Sequence, residues 1–514
     1  MSNIGYEKFD YENRLKLFGH EDAVQEDEQR LSTFFYKKSQ YDEVTSNAGF
    51  QVITGEKGTG KSALIKMACI QEEQNGRVPI RLRLDDLAEI YGEILECNKL
   101  YALKLLWKKA IAKVIVMKIA SKLHFSLSDD KAKVLTWAYE YGYAEKDFIT
   151  QCAEKFHNTI KDFYDSEEKE YDKGEYQILK RLIGNKQIRL FLDDFDLDWK
   201  GSENDILIIK SLIISLIDMT SDIKGLSARI ALRTDVYEMI RNEEFSDKIE
   251  SATIKCLWNN QELIVALAKR ICAFNGDKFD SNIERNPADS QFKVKYYLNS
   301  VFESYFPPDI RYWGGADTSK VIYALLRRKP RDIVKLCLGL AKYAYDRKKS
   351  KIDYECFYQT LDLYSSERLK DLVNEYKNQM TNLEKVLVRM APTKKEIANK
   401  ASGKYVYTTT ELFEKIKNIK SNISIMIYSP QSNQKTEANQ HDIAHFLYKI
   451  GFITGRKNSK TGKINRVYYD EAPSLLLQNV GDNGFNWEIH VSYRAALAKG
   501  ISDMWQNTLN ITEE

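Results

Sequence analysis

Cysteine and unbroken apolar stretches are both scarce in this 514-residue chain, and each scarcity excludes something. The seven cysteines (Cys69, Cys97, Cys152, Cys256, Cys272, Cys337 and Cys356) are odd in number, and none stands in a C-x-x-C pair. That argues against a disulfide framework or a zinc ribbon and for a reducing cytosol. No run reaches the roughly 18 apolar residues that span a bilayer. The best candidate, Ile206 to Met219, is interrupted by Lys210. The N-terminus is charged throughout and has no apolar signal core. A cytoplasmic protein with no membrane attachment is expected. A surplus of one charge is missing too: 77 Lys+Arg against 74 Asp+Glu leave a net +3, which excludes a polycation and an acidic solvating chain.

What is present suits a soluble globular chain: 43% hydrophobic and 29% charged residues, with 31 Tyr and 22 Phe as large anchors. At about 150 residues per domain the length predicts roughly three domains. Four short apolar runs read as strands: Phe50–Thr54, Val78–Leu84, Ile188–Leu192 and Arg229–Leu232. Helical patterns separate them, which predicts an α/β fold with a parallel sheet covered on both faces. About 100 residues lie between the second and third strands, so a helical insertion is expected over about 100–185. It supplies either extra core or a partner-docking surface. Residues 273–320 are turn-rich, helical periodicity returns from Val321 to Tyr345, and 380–514 changes to short helices and a Gly-punctuated strand pair. The expected organisation is an N-terminal lead-in (1–45), an α/β core (46–250), a helical lid (251–375) and a C-terminal domain (380–514).

Gly55-Glu56-Lys57-Gly58-Thr59-Gly60-Lys61-Ser62 matches G-x-x-x-x-G-K-[ST] at every fixed position, with a strand before it and a helix after it. This is the arrangement that cradles nucleotide phosphates. Glycines let backbone N–H groups turn inward, Lys61 reaches the β/γ-phosphates, and the Ser62 hydroxyl ligates Mg²⁺. Ala63 completes the helix start. A phosphate loop needs a carboxylate on a neighbouring strand. Ile188 to Leu192 ends in Asp193, expected on the Mg²⁺ side, and Asp194, expected to orient water, with Asp196 as a spare. Asp in place of Glu shortens the reach and slows hydrolysis. A γ-phosphate sensor belongs at the tip of an adjacent strand, where Arg233 or Thr234 stands; an ordinary strand-end cap is the alternative. Arg331, after Pro330 at a helix start, is placed to lie against ATP, and its alternative is a solvated basic loop.

These segments resemble AAA+-type P-loop ATPases, in the branch shared by origin-recognition ATPases and the STAND signalling ATPases. The resemblance implies an adenine pocket lined by Phe18-Gly19-His20-Glu21, with His20 where the family often has Arg. It also implies a sensor-1 strand at Leu232 to Asp235, a lid beginning at Cys256-Leu257-Trp258-Asn259, and a sensor-2 position at Pro330-Arg331. The C-terminal segment is similar to a winged helix, with an amphipathic helix at 437–450, strands at Gly451–Thr454 and Ile464–Tyr469, and a closing motif at Trp487 to Arg494. Bacterial proteins of this build are often encoded in anti-phage defence islands.

Arg456, Lys457, Lys460, Lys463 and Arg466 lie in one hairpin that holds no acid, so the wing is a candidate for duplex phosphates, against the routine alternative of a lysine-rich solvated edge. His441 and His445 have the i, i+4 spacing of a zinc pair but lack the Glu and a third ligand, so a winged-fold helix is the better reading. Tyr139, Tyr141 and Tyr143 are read as packing aromatics rather than a base-stacking platform. The expectation is an ATP-binding, slowly hydrolysing switch with Mg²⁺ as its metal, which self-assembles and controls a protein partner. Its alternatives are an ATPase that loads on duplex DNA through the winged helix, and a nucleotide-binding scaffold with little turnover.

Overall fold

The computed structural model describes residues 5–122, 179, 183, 187–196, 199–241, 246–285, 291–310, 313–393, 396, 405–429, 434–458, 464–477 and 484–498. Most of the expected insertion, with Tyr139, Tyr141 and Tyr143, therefore lies outside the described residues, as do Lys460 and Lys463. The chain divides into two compact units, one formed by residues 38–56 and 61–256, the other by 1–37, 57–60 and 257–514.

The first unit is α/β. Five parallel strands, β1 (Phe50–Gly55), β2 (Val78–Leu82), β3 (Ile188–Leu192), β4 (Leu226–Arg233) and β5 (Thr253–Lys255), lie in the order β2-β3-β4-β1-β5. All five residues of β3 are buried, as befits a continuous apolar run covered on both faces. The register sets Gly55 opposite Arg233 and Leu192 opposite Ile230. The C-terminal ends of β1, β3 and β4 thus reach one edge of the sheet, where open α/β sheets collect ligands.

Helix Glu203–Asp222 starts at a reciprocal capping box between Ser202 and Asp205. It packs on helix Leu100–Lys122, where the Trp107 indole N–H donates to Ser211 Oγ at 3.0 Å. The apolar stretch 206–219 is thus core. Among the described residues no helix is long and apolar enough to cross a membrane. Arg189 and Arg229 are buried on β3 and β4, and both donate to the carbonyls of Val44 and Ser46. They tie the end of helix Ser39–Val44 to the sheet, with Glu72 pairing Arg189 at 2.8 Å. Polar groups buried this way need such partners.

The second unit is helical and then mixed. Helix Asn260–Asn275 is opened by a capping box of Asn259 and Glu262 and closed by Gly276 in the left-handed region. Helical periodicity over 321–345 resolves into two helices, Thr318–Leu325 and Pro330–Asp346, because Pro330 has no N–H to continue the first. Helix Tyr354–Tyr376 serves two cores. Its Leu361 and Tyr364 join the cluster of Phe18, Leu267, Ile271, Phe302 and Leu340, and its Leu372 and Tyr376 join that of Leu412, Leu447, Tyr448 and Trp487. The latter cluster lies under an antiparallel sheet ordered β10-β9-β11-β6, made of β6 (Val406–Tyr407), β9 (Ile453–Asn458), β10 (Ile464–Val467) and β11 (Asn486–Ile489). Helices Thr409–Lys420 and Gln440–Lys449 and a separate hairpin, β7 (Met426–Ser429) with β8 (Gln434–Glu437), complete it.

Candidate functional site

The glycine-rich loop leaves β1 and enters helix Lys61–Gln74. Gly58 and Gly60 have φ of 89° and 93°, a region that side chains with a Cβ rarely adopt. Lys61 Nζ donates to Gly55 O at 2.7 Å and Glu56 O at 3.3 Å, folding over the loop's own carbonyls.

The end of β3 supplies the acids. Asp193 is 3% exposed, and its carboxylate is hydrogen-bonded to the Ser62 hydroxyl. Its Oδ2 has no hydrogen-bond partner, and the nearest cation is Arg81 at 3.8 Å. Burial, then the neighbouring Asp194, pushes the Asp193 carboxyl above the ordinary range, while Ser62, Arg81 and Lys61 pull the other way. A buried carboxylate with an orphaned oxygen beside a serine hydroxyl is the oxygen donor set that Mg²⁺ takes, the remaining positions falling to water and phosphate. The residues therefore fit that metal. Among the described residues no group of three or more His, Cys, Asp or Glu is placed to hold a metal by itself. Asp194 sits at φ 64°, which turns it away from the strand path. Asp196 is buried, and its Oδ2 accepts the Arg233 backbone N–H at 2.7 Å. Burial pushes its carboxyl up, against Lys61 and Arg233. The Arg233 guanidinium turns to Asp235, with Nε to Oδ1 at 2.9 Å.

The loop tip, residues 57–60, groups with the helical unit. Thr59 O accepts the Trp258 indole N–H at 2.8 Å, and Gly58 O accepts the Arg331 backbone N–H at 3.2 Å. A Cβ on Gly58 would stand 3.0 Å from the Arg331 Cβ, so glycine is needed for this approach. Arg331 Nε donates to Glu21 O at 3.3 Å. The Lys57 N–H donates to Glu375 Oε1 at 2.9 Å. Nothing in the sequence pattern singled out Glu375, which lies in an amphipathic helix far along the chain. Phe18 is fully buried, 6.3 Å from the Phe302 ring. Its carbonyl accepts from Arg270, and a Cβ on Gly19 (φ 89°) would collide with that guanidinium.

The C-terminal cations are placed unevenly. Arg466 Nε donates to the buried Glu488 at 3.1 Å, and Arg456 lies 3.9 Å from the same carboxylate. Lys457 Nζ lies 5.4 Å from the centre of the Phe485 ring. His441 lies 4.2 Å from the Phe413 ring, and His445 Nε2 is 3.0 Å from Pro473 O, so each imidazole has a packing role.

No family profile matches the chain. It is 20% identical over 477 residues to an 80.3 kDa protein ascribed to transposon gamma-delta in Escherichia coli (strain K12), over 88% of this chain and 63% of that protein. The chain thus spans less than two thirds of that relative's length. Three solved structures align at low similarity. Cdc6p from Pyrobaculum aerophilum gives a TM-score of 0.34 and 11% identity over 92% of this chain and 98% of that one. The Aeropyrum pernix ORC1 protein in complex with DNA gives 0.33 and 10%, over 95% and 96%. The A. pernix ORC2 protein in its ADPNP and ADP complexes gives 0.35 and 10%, over 86% and 88%.

Proposed function

We propose that this chain binds ATP with Mg²⁺ on the loop 55–62 and hydrolyses it slowly as a molecular switch. The observation that carries this is the Ser62–Asp193 pair: a hydroxyl bonded to a buried carboxylate whose second oxygen has no partner, one residue from Lys61. Such a carboxylate is costly to bury and is explained by a cation it receives. Lys61 would leave the Gly55 and Glu56 carbonyls for the β/γ-phosphates, and the backbone N–H groups of the loop and of the helix start at Ser62 and Ala63 would face the same anion. The metal, held by Ser62 and Asp193, would neutralise charge developing on the phosphates. Asp194 would orient the attacking water. Arg233 reaches a phosphate only by leaving Asp235, so sensing at this strand end involves an exchange of partners. Arg331 would report the state of the loop tip, while Phe18 and Gly19 shape the segment before the loop from within the core.

We read the C-terminal helices and the β9–β10 hairpin as a winged helix that engages a protein partner. Arg456 and Arg466 face Glu488, which leaves fewer cations for duplex DNA than the hairpin's composition suggests. ATP-dependent self-assembly is part of this reading, since an arginine from a second copy would supply charge stabilisation. Anti-phage defence is the setting that the family resemblance implies. The test is ATP turnover by the purified chain, with and without duplex DNA, beside Lys61→Ala. Slow turnover lost in Lys61→Ala and indifferent to DNA is expected. Turnover retained in that variant would remove the site, and DNA stimulation would replace the protein-partner reading.

A further inference from the structure

Glu375 is one residue from the end of helix Tyr354–Tyr376 and 7% exposed. A carboxylate there meets the negative end of the helix dipole and loses its hydration, so the helix gains nothing from it. Two groups offset these costs, a backbone N–H of the loop tip and the buried Lys329 ammonium. Oε1 accepts the Lys57 N–H at 2.9 Å, and Oε2 lies 3.4 Å from Lys329 Nζ. A phosphate loop works by turning its N–H groups on an anion. Here one of those donors already holds an anion, supplied by the chain itself.

We propose that Glu375 is a built-in competitor for the phosphate, lowering nucleotide affinity until its helix moves. This rests on the reading of loop 55–62 as an ATP site. The same helix is fastened to the C-terminal segment: Ser365 Oγ accepts the Ala496 N–H at 2.8 Å. Arg368 donates to Asp332 at 2.9 Å, and Asp332 is held by Arg327, whose Nη1 is 3.3 Å from the Tyr493 hydroxyl. A partner that displaces Val491–Leu497 would therefore draw on the helix that carries Glu375, which gives the C-terminal domain a route to the loop tip.

Magnesium ATP titrated calorimetrically into the full chain tests this. Glu375→Gln, which keeps the shape and removes the charge, should tighten binding by roughly five- to tenfold. Glu375→Asp, one methylene shorter, should tighten it less and serves if the first variant folds poorly. Lys61→Ala should lose binding. If wild type binds and Lys61→Ala does not, while both Glu375 variants bind as wild type or more weakly, the competitor is overturned and the ATP site stands. If wild type, Glu375→Gln and Glu375→Asp all fail to bind, both readings fall.

Discussion

Asp196 Oδ2 accepts the backbone N–H of Arg233 at 2.7 Å, fastening the turn after β3 to the last residue of β4. An acid held this way is a tether. Asp196→Ala would strand a half-buried N–H, at a cost of about 1–3 kcal/mol in unfolding free energy, while Asp196→Asn keeps an acceptor and should lose far less. Urea unfolding of the three proteins measures this. An alanine variant as stable as wild type but without turnover would make Asp196 catalytic instead.

Asp193 sits in the opposite state, buried with one oxygen unpartnered. Burial and Asp194 raise its folded-state pKa above the ordinary value near 3.8. The folded chain therefore holds this proton to higher pH than the unfolded chain, and stability declines as pH rises through that interval. Asp193→Asn should relieve this cost, raising the melting temperature of the ligand-free chain while removing Mg²⁺-dependent turnover. Calorimetric melting in EDTA beside an ATPase assay reads both. A variant less stable than wild type would mean that the carboxylate is structural.

Asp194 presents a different question, because its φ of 64° is strained for most side chains. Asparagine tolerates this region about as well as aspartate, so Asp194→Asn separates chemistry from backbone. The variant should melt at or slightly above wild type, because it removes the like charge beside Asp193, and should bind ATP normally, with turnover reduced on the order of 100-fold or more, within the range a general base supplies. Unchanged turnover would move the water-orienting role away from this residue.

The strands and the loop were legible because their signals are local. Phe50–Gly55, Ile188–Leu192 and the glycine spacing at 55–60 declare themselves within a few residues. β5 and β6 were not legible: three and two residues hold too little periodicity. The partner of Arg456 and Arg466 was illegible for a related reason. No acid lies within their hairpin, and the carboxylate that holds Arg466, Glu488, is 22 residues further on. Glu375 is the extreme case, since its contact with Lys57 joins positions 318 residues apart and leaves no trace in either segment.

The C-terminal segment around His490 should respond to acid in two separable steps. Burial, followed by Arg327, Arg494 and Arg466, brings the His490 imidazole down to about 3, although Glu488 opposes this. It stays neutral when folded, whereas the unfolded residue takes a proton near 6.5, so stability is lost as pH falls from there toward 3. Glu488 follows later. Burial alone would raise its carboxyl, but Arg494, Arg466 and Arg456 outweigh that and bring it to about 2 from an ordinary 4.5. Its contribution is intact above 4.5 and is lost as pH falls through about 2. Between pH 6.5 and 5 only the first step acts, worth about 2 kcal/mol over that span. His490 Nδ1 also caps the following helix by accepting the Ser492 N–H at 3.2 Å. His490→Asn keeps a capping acceptor and removes the titration. Melting temperatures at pH 7 and pH 5 should therefore differ clearly in wild type and much less in the variant. Equal differences in both would show that another group governs the response in this range.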